Sequence, residues 1–213
     1  MSELVYVLDP MCSWCWAFRP SWDALLGVIP GEMRVRYVMG GLAPDSSVPM
    51  PIPMREYLKS AWVTIEQRTG ARFNFEFWDK NEPRRSTYPA CRAVIAAGRQ
   101  QSAAVPRMIA GIQKAYYLDA RNPADKETLY DVAQALGLDR ERFVTDLGSR
   151  AVQTHLDDDL ETTRQLGVQG FPSVLVHHDG QYQALARGWC DSDTLARRWQ
   201  EYQGSARTPA RPG

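Results

Sequence analysis

Two cysteines separated by two residues, Cys12 and Cys15 in Met11-Cys12-Ser13-Trp14-Cys15-Trp16, are the side chains of this sequence best suited to chemistry. Thiols at this spacing close a disulfide with little backbone movement, so the pair can cycle between dithiol and disulfide. The apolar run Leu4-Val5-Tyr6-Val7-Leu8 precedes it, Asp9-Pro10 intervenes, and a helical pattern follows. A strand, a turn and a helix put Cys12 at or near the first helical turn, where free N–H groups and the helix dipole favour a thiolate. Cys12 is then the attacking sulfur, and Cys15, one helical turn further in, is the thiol that resolves a mixed disulfide. Metal binding is the other use of such a pair, but zinc needs more ligands. There is no second CxxC, and two of the three histidines, His177 and His178, fall at a strand end. The expectation is no metal.

Three further residues have two readings each. Cys91 and Cys190 are either small buried hydrophobes or secondary redox partners of the dithiol. Asp9 is either a buried carboxylate that assists proton transfer to Cys15 or a cap on the turn before the helix. His155, within a helical pattern, reads as a polar-face residue. The aromatics Trp14, Trp16, Tyr88, Phe171 and Trp189 are candidates for an apolar groove around the dithiol, with core packing the expected role of Trp16 and Trp189.

The elements that must position these residues follow from hydrophobic periodicity. The first strand leads into a helix ending near Leu26 with Pro20 inside it, where a kink is expected. A second strand follows at Met33–Met39, and the two strands around one helix predict parallel neighbours. Gly40 to Pro53 reads as a linker. The next helix carries Tyr57, Leu58, Ala61, Trp62 and Ile65 on one side and stops at Gly70. Phe73, Phe75 and Phe77 read as an aromatic-anchored loop. Ser86 or Thr87 caps a helix with Pro89 in its first turn. Further helices are expected over 105–118, 125–136, 139–147 and 150–166. Ser173–His177 and Gln181–Ala186 flank Asp179-Gly180, a hairpin signal, and a last helix runs from Asp191 or Ser192 to about Tyr202.

The chain has 213 residues, 44% of them hydrophobic, with 25 basic and 25 acidic side chains. That is ample for a packed core. A net charge of zero gives no reason to expect nucleic acid or an anionic membrane as partner. No apolar run approaches the roughly 20 residues of a membrane span. Met1-Ser2-Glu3 runs straight into the first strand without a signal-peptide pattern, which predicts a cytoplasmic protein. Four cysteines are too few for a disulfide-stapled secreted scaffold.

The element order is thus β-α-β, a helical block, a connecting helix, then β-β-α. Without the block this is an α/β chain in thioredoxin-like order. In Asp9–Trp16, Ser86-Thr87-Tyr88-Pro89-Ala90-Cys91-Arg92 and Gly167-Val168-Gln169-Gly170-Phe171-Pro172-Ser173, the sequence resembles the DsbA family of thioredoxin-like proteins, within its cytosolic FrnE-like branch. The resemblance implies a thioredoxin-like domain from residues 1–50 and 150–204 and a large all-helical insertion at 51–149, while the Pro- and Gly-containing end, 205–213, reads as a disordered tail. It implies that the Phe171–Pro172 bond is cis and faces the CxxC motif; taken alone, Pro172 is an ordinary strand-start proline. Ser13, Trp14, Phe171 and Pro172 would then contact substrate, with the Phe171 backbone beside an extended strand. It also implies that Ser86–Arg92 faces the site from the helical domain.

Trp14 stands where the strongly oxidising periplasmic members carry a histidine, so a couple less oxidising than the roughly −120 mV of DsbA is expected. The function implied is protein disulfide reduction or isomerisation, acting on disulfide-containing proteins or peptides and on low-molecular-weight thiols. No cofactor is required, with glutathione a candidate co-substrate. The alternatives are a glutathione-dependent isomerase or transferase of the related kappa-class group, whose members carry serine at the position of Cys12, and a peptide-binding module without catalysis. Oligomeric state is not readable from the sequence.

Overall fold

The computed structural model describes residues 2–206. Strand β1 (Glu3–Leu8) is buried along nearly its whole length. It lies inside a four-stranded mixed sheet of order β2-β1-β3-β4 with cover on both faces, which is why its sequence is an unbroken apolar run. Strand β2 (Arg34–Met39) is parallel to β1, while β3 (Ser173–His178) runs antiparallel to β1 and to β4 (Gln181–Arg187). Helix α1 (Ser13–Leu26) makes the β1–β2 crossover and runs on through Pro20. The β3–β4 turn needs positive φ at both central residues, and Asp179 and Gly180 adopt +49° and +77°.

Between β2 and β3 lie α2 (Ile52–Thr69), α3 (Phe77–Lys80), α4 (Tyr88–Gln100), α5 (Ala104–Tyr117), α6 (Lys126–Ala135), α7 (Arg140–Leu147) and α8 (Arg150–Gln165). Helix α9 (Ser192–Ala206) packs on α1. This is the thioredoxin-like order with helices interposed after β2. One apolar cluster runs unbroken from Leu4, Leu8 and Val174 of the sheet, through Phe18 of α1, into Val94 of α4 and Ile112 of α5. The other sheet face carries a small cluster of Val5, Val7, Val38 and Leu175. A further cluster surrounds the Trp62 indole, with the rings of Phe73, Phe77, Trp78, Tyr116 and Tyr117 within 6 Å of it. No helix among the described residues is long and apolar enough to cross a membrane.

The structure differs from the sequence reading at four places. The loop through Phe73 and Phe75 ends in a one-turn helix at Phe77, because its rings wrap around one indole and so do not form a pleat. Tyr57 is not on the buried side of α2 but 67% exposed, since the buried stripe runs through Trp62 and Ile65. Thr87 holds the N-cap position of α4, yet its hydroxyl makes no capping bond, being drawn to Asp9. Helix α9 continues past Tyr202 to Ala206, and the expected tail from residue 207 on lies outside the described residues.

Candidate active site

The turn between β1 and α1 is tied by Asp9. Its carbonyl accepts the Cys12 N–H at 3.0 Å and its Oδ1 accepts the Met11 N–H at 2.8 Å. Cys12 is therefore the N-cap of α1, in extended conformation, with the first unpaired N–H groups of the helix beside its sulfur. Cys12 Sγ lies 3.7 Å from the Phe171 carbonyl oxygen, to which the thiol donates. The Phe171–Pro172 bond is cis, and the Pro172 carbonyl accepts the Gly188 N–H at 2.7 Å, so the end of β4 returns beside the start of β3.

Cys12 is 7% exposed and Cys15 not at all. Burial pushes the Cys15 thiol well above its ordinary range, and the neighbouring Cys12 sulfur pushes it further. Tyr6 of β1 is in hydrogen-bond contact with Cys15, and burial also raises its hydroxyl. The pair is thus an outer sulfur at a helix start and an inner sulfur held as a thiol.

Asp9 both caps the turn and is a buried carboxylate. Besides Met11 N–H it accepts the Leu42 N–H at 2.7 Å and the Thr87 hydroxyl at 2.6 Å, and Cys91 Sγ is 3.7 Å away. Burial raises its carboxyl above the usual carboxylate range, against the pull of these donors. Asp9 reaches Cys15 through its backbone and its charge. Cys91 is fully buried behind Asp9, with its thiol pushed well up by burial, and Cys190 is buried against α1, where its carbonyl accepts the Ser21 hydroxyl. Neither lines the groove that opens over Cys12.

That groove, about 250 Å³, is lined by Cys12, Ser13, Trp14 and Phe171 on one side and by Met50, Tyr57, Leu58 and Tyr116 on the other, with Arg84 and Arg85 at its edge. The Ser13 hydroxyl accepts Trp62 Nε1–H at 3.0 Å, pinning α1 to α2. Trp14 packs against Trp189, ring centroids 6.3 Å apart, and the Arg68 guanidinium lies 5.6 Å and 5.5 Å from the two rings. Trp16 turns away to stack on Tyr117 and donate to the Arg72 carbonyl. Trp189 Nε1 donates to the Ala17 carbonyl, and Tyr88 packs beside Gly41. His155 is exposed, 4.0 Å from Asp159 and away from the groove. No group of three or more His, Cys, Asp or Glu among the described residues is placed to hold a metal.

Sequence reasoning missed Thr87 as an Asp9 partner and Tyr6 beside Cys15, and it found the α2 residues without placing them on the groove. Thr87 lay inside a stretch singled out for another purpose. Tyr6 and the α2 residues carry no local signal beyond being apolar.

A family model described as thioredoxin matches residues 5–187. The chain belongs to this family. Its relatives in known structures include proteins described as a disulfide isomerase and a disulfide reductase. One, from Nitrosomonas europaea and described as a candidate protein disulfide isomerase, is 25% identical, with a TM-score of 0.87 over 96% of this chain and 98% of that one. Another, the cytosolic disulfide reductase DsbM from Pseudomonas aeruginosa, is 27% identical, with a TM-score of 0.78 over 96% and 99%; a second structure of DsbM is with GSH. Among curated proteins, the ClpXP adapter protein SpxH of Halalkalibacterium halodurans is 26% identical over 83% of this chain. The chain spans 59% of the length of that relative.

Proposed function

We propose that this chain is a cytoplasmic protein disulfide reductase or isomerase working through Cys12 and Cys15, with no metal or organic cofactor. The observation that carries the reading is the Cys12 sulfur at the N-cap of α1, on the groove and beside the Phe171 carbonyl, with Cys15 sealed behind it. The Cys12 thiolate attacks one sulfur of a substrate disulfide, that S–S bond breaks, and one substrate thiol leaves. Cys15 then gives up its proton and attacks the Cys12 sulfur, closing Cys12–Cys15 and releasing the second thiol. Substrates are disulfide-containing proteins or peptides, laid along Ser13, Trp14 and the Phe171 backbone next to Pro172. An external thiol returns the pair to the dithiol, and the GSH complex of DsbM supports glutathione in that role.

Insulin reduction in the presence of glutathione tests this. Wild type is expected to accelerate turnover, Cys12→Ser to fall to background, and Cys15→Ser to accumulate a mixed disulfide. Turnover retained by Cys12→Ser would sink the reading. A second reading, a peptide-binding adapter, is favoured by the likeness to SpxH, a ClpXP adapter protein, and by exposed Leu42 and Tyr57 lining the groove. It predicts no turnover by wild type and peptide binding unaffected by Cys12→Ser.

A further inference from the structure

We propose that Arg85 reads a carboxylate on the incoming thiol or disulfide, so that the Cys12 groove selects small acidic disulfides of the glutathione type. This rests on the oxidoreductase reading above. The groove's volume, about 250 Å³, is close to the lower end of the roughly 300–1,000 Å³ common to small-molecule sites. Its walls are apolar and hydroxyl-bearing, and no Asp or Glu lines it. Two guanidinium groups stand at its edge, and they are used differently. Arg84 is ion-paired with Asp125 and donates to the Ala124 carbonyl at 3.0 Å, and its backbone bridges Pro49. Arg84 is committed to holding the fold.

Arg85 is exposed and makes no ion pair or side-chain hydrogen bond with any described residue. Its charge nevertheless reaches into the groove, drawing the buried Tyr116 hydroxyl down against the effect of burial. An unpaired cation lining the same groove as the reactive sulfur, where no acidic group lies, favours a substrate that brings its own carboxylate. Attack of the Cys12 thiolate on such a disulfide forms Cys12–S–S–R and expels one acidic thiol. Cys15 then closes the ring and expels the second, the dithiol losing two electrons and the substrate disulfide gaining them.

The test compares oxidation of the reduced protein by three disulfides, followed by tryptophan fluorescence: glutathione disulfide, the same molecule with its carboxylates esterified, and uncharged hydroxyethyl disulfide. Wild type is expected to prefer the acid over the ester about tenfold, the scale of one charge-assisted hydrogen bond. In Arg85→Gln the ratio should fall to within about twofold of unity, and Arg85→Lys should keep most of it. A purely structural role for Arg85 would slow all three reagents together and preserve the ratio, which would overturn the proposal. So would a wild type indifferent to esterification. A wild type that fails to react even with hydroxyethyl disulfide would overturn the oxidoreductase reading along with it.

Discussion

The Asp9 carboxylate accepts two backbone N–H groups and the Thr87 hydroxyl, and burial still holds it above the ordinary carboxylate range. A buried carboxylate poised in this way, whose charge acts on a Cys15 thiol that burial has pushed well up, is a suitable acceptor for the Cys15 proton. Asp9→Asn is expected to slow resolution of a Cys12 mixed disulfide about a hundredfold near neutral pH, with the initial attack by Cys12 altered far less. Stopped-flow trapping of the two phases would show it, and equal slowing of both would rule this role out. Trp14 bears on the other half of the cycle. Its indole brings no charge of its own next to Cys12, and the nearest cation on its face is Arg68. The potential of the Cys12–Cys15 couple, measured against glutathione, should lie below the roughly −120 mV of DsbA, and Trp14→His should raise it. A wild-type value at or above that mark would contradict the argument.

At the level of elements, the exit of β2 and the entry to β3 meet where Gly40 faces Phe171. A Cβ on Gly40 would lie 2.1 Å from two carbons of the Phe171 ring, so the ring must move if Gly40 changes. Gly40→Ala is expected to cost about 1–3 kcal/mol, as overpacking does. It should also lower the rate with a peptide disulfide more than with a small reagent, because the Phe171 backbone is displaced from beside Cys12. Thermal melts and paired rate measurements would check this; a variant of unchanged stability would mean that the ring has room to turn. The β1–α1 turn and the β3–β4 hairpin were legible in the sequence because a run, a CxxC and an Asp-Gly each encode local geometry. The role of Thr87 was not, because its hydroxyl answers to a carboxylate 78 positions away rather than to its own helix. The α2 wall of the groove was half legible: periodicity found the right residues, but burial and groove-lining give the same apolar signal, and Tyr57 belongs to the second.

Across the whole molecule, helices α4 to α7 share one apolar cluster with the sheet, while α2 and α3 pack around the Trp62 indole. Helix α8 is the returning link. Its Asp159 Oδ2 accepts the Met39 N–H at 2.9 Å, tying the helix to the end of β2 just before Gly40. Burial pushes the Asp159 carboxyl up to about 6, opposed by the Met39 N–H and by the charges of His155 and Arg36. A carboxyl that holds its proton more tightly folded than unfolded contributes stability below its unfolded pKa, near 4. That contribution drains away as pH rises through about 6, because the unfolded chain then binds fewer protons than the folded one. Asp159→Asn keeps an oxygen for Met39 and removes the titration. The stability of wild type relative to Asp159→Asn should therefore fall by on the order of 2–3 kcal/mol between pH 4 and pH 7. Denaturant unfolding of both proteins across that range measures it directly. A difference that stays level, or that grows with pH, would show that the link between α8 and β2 does not carry a buried proton.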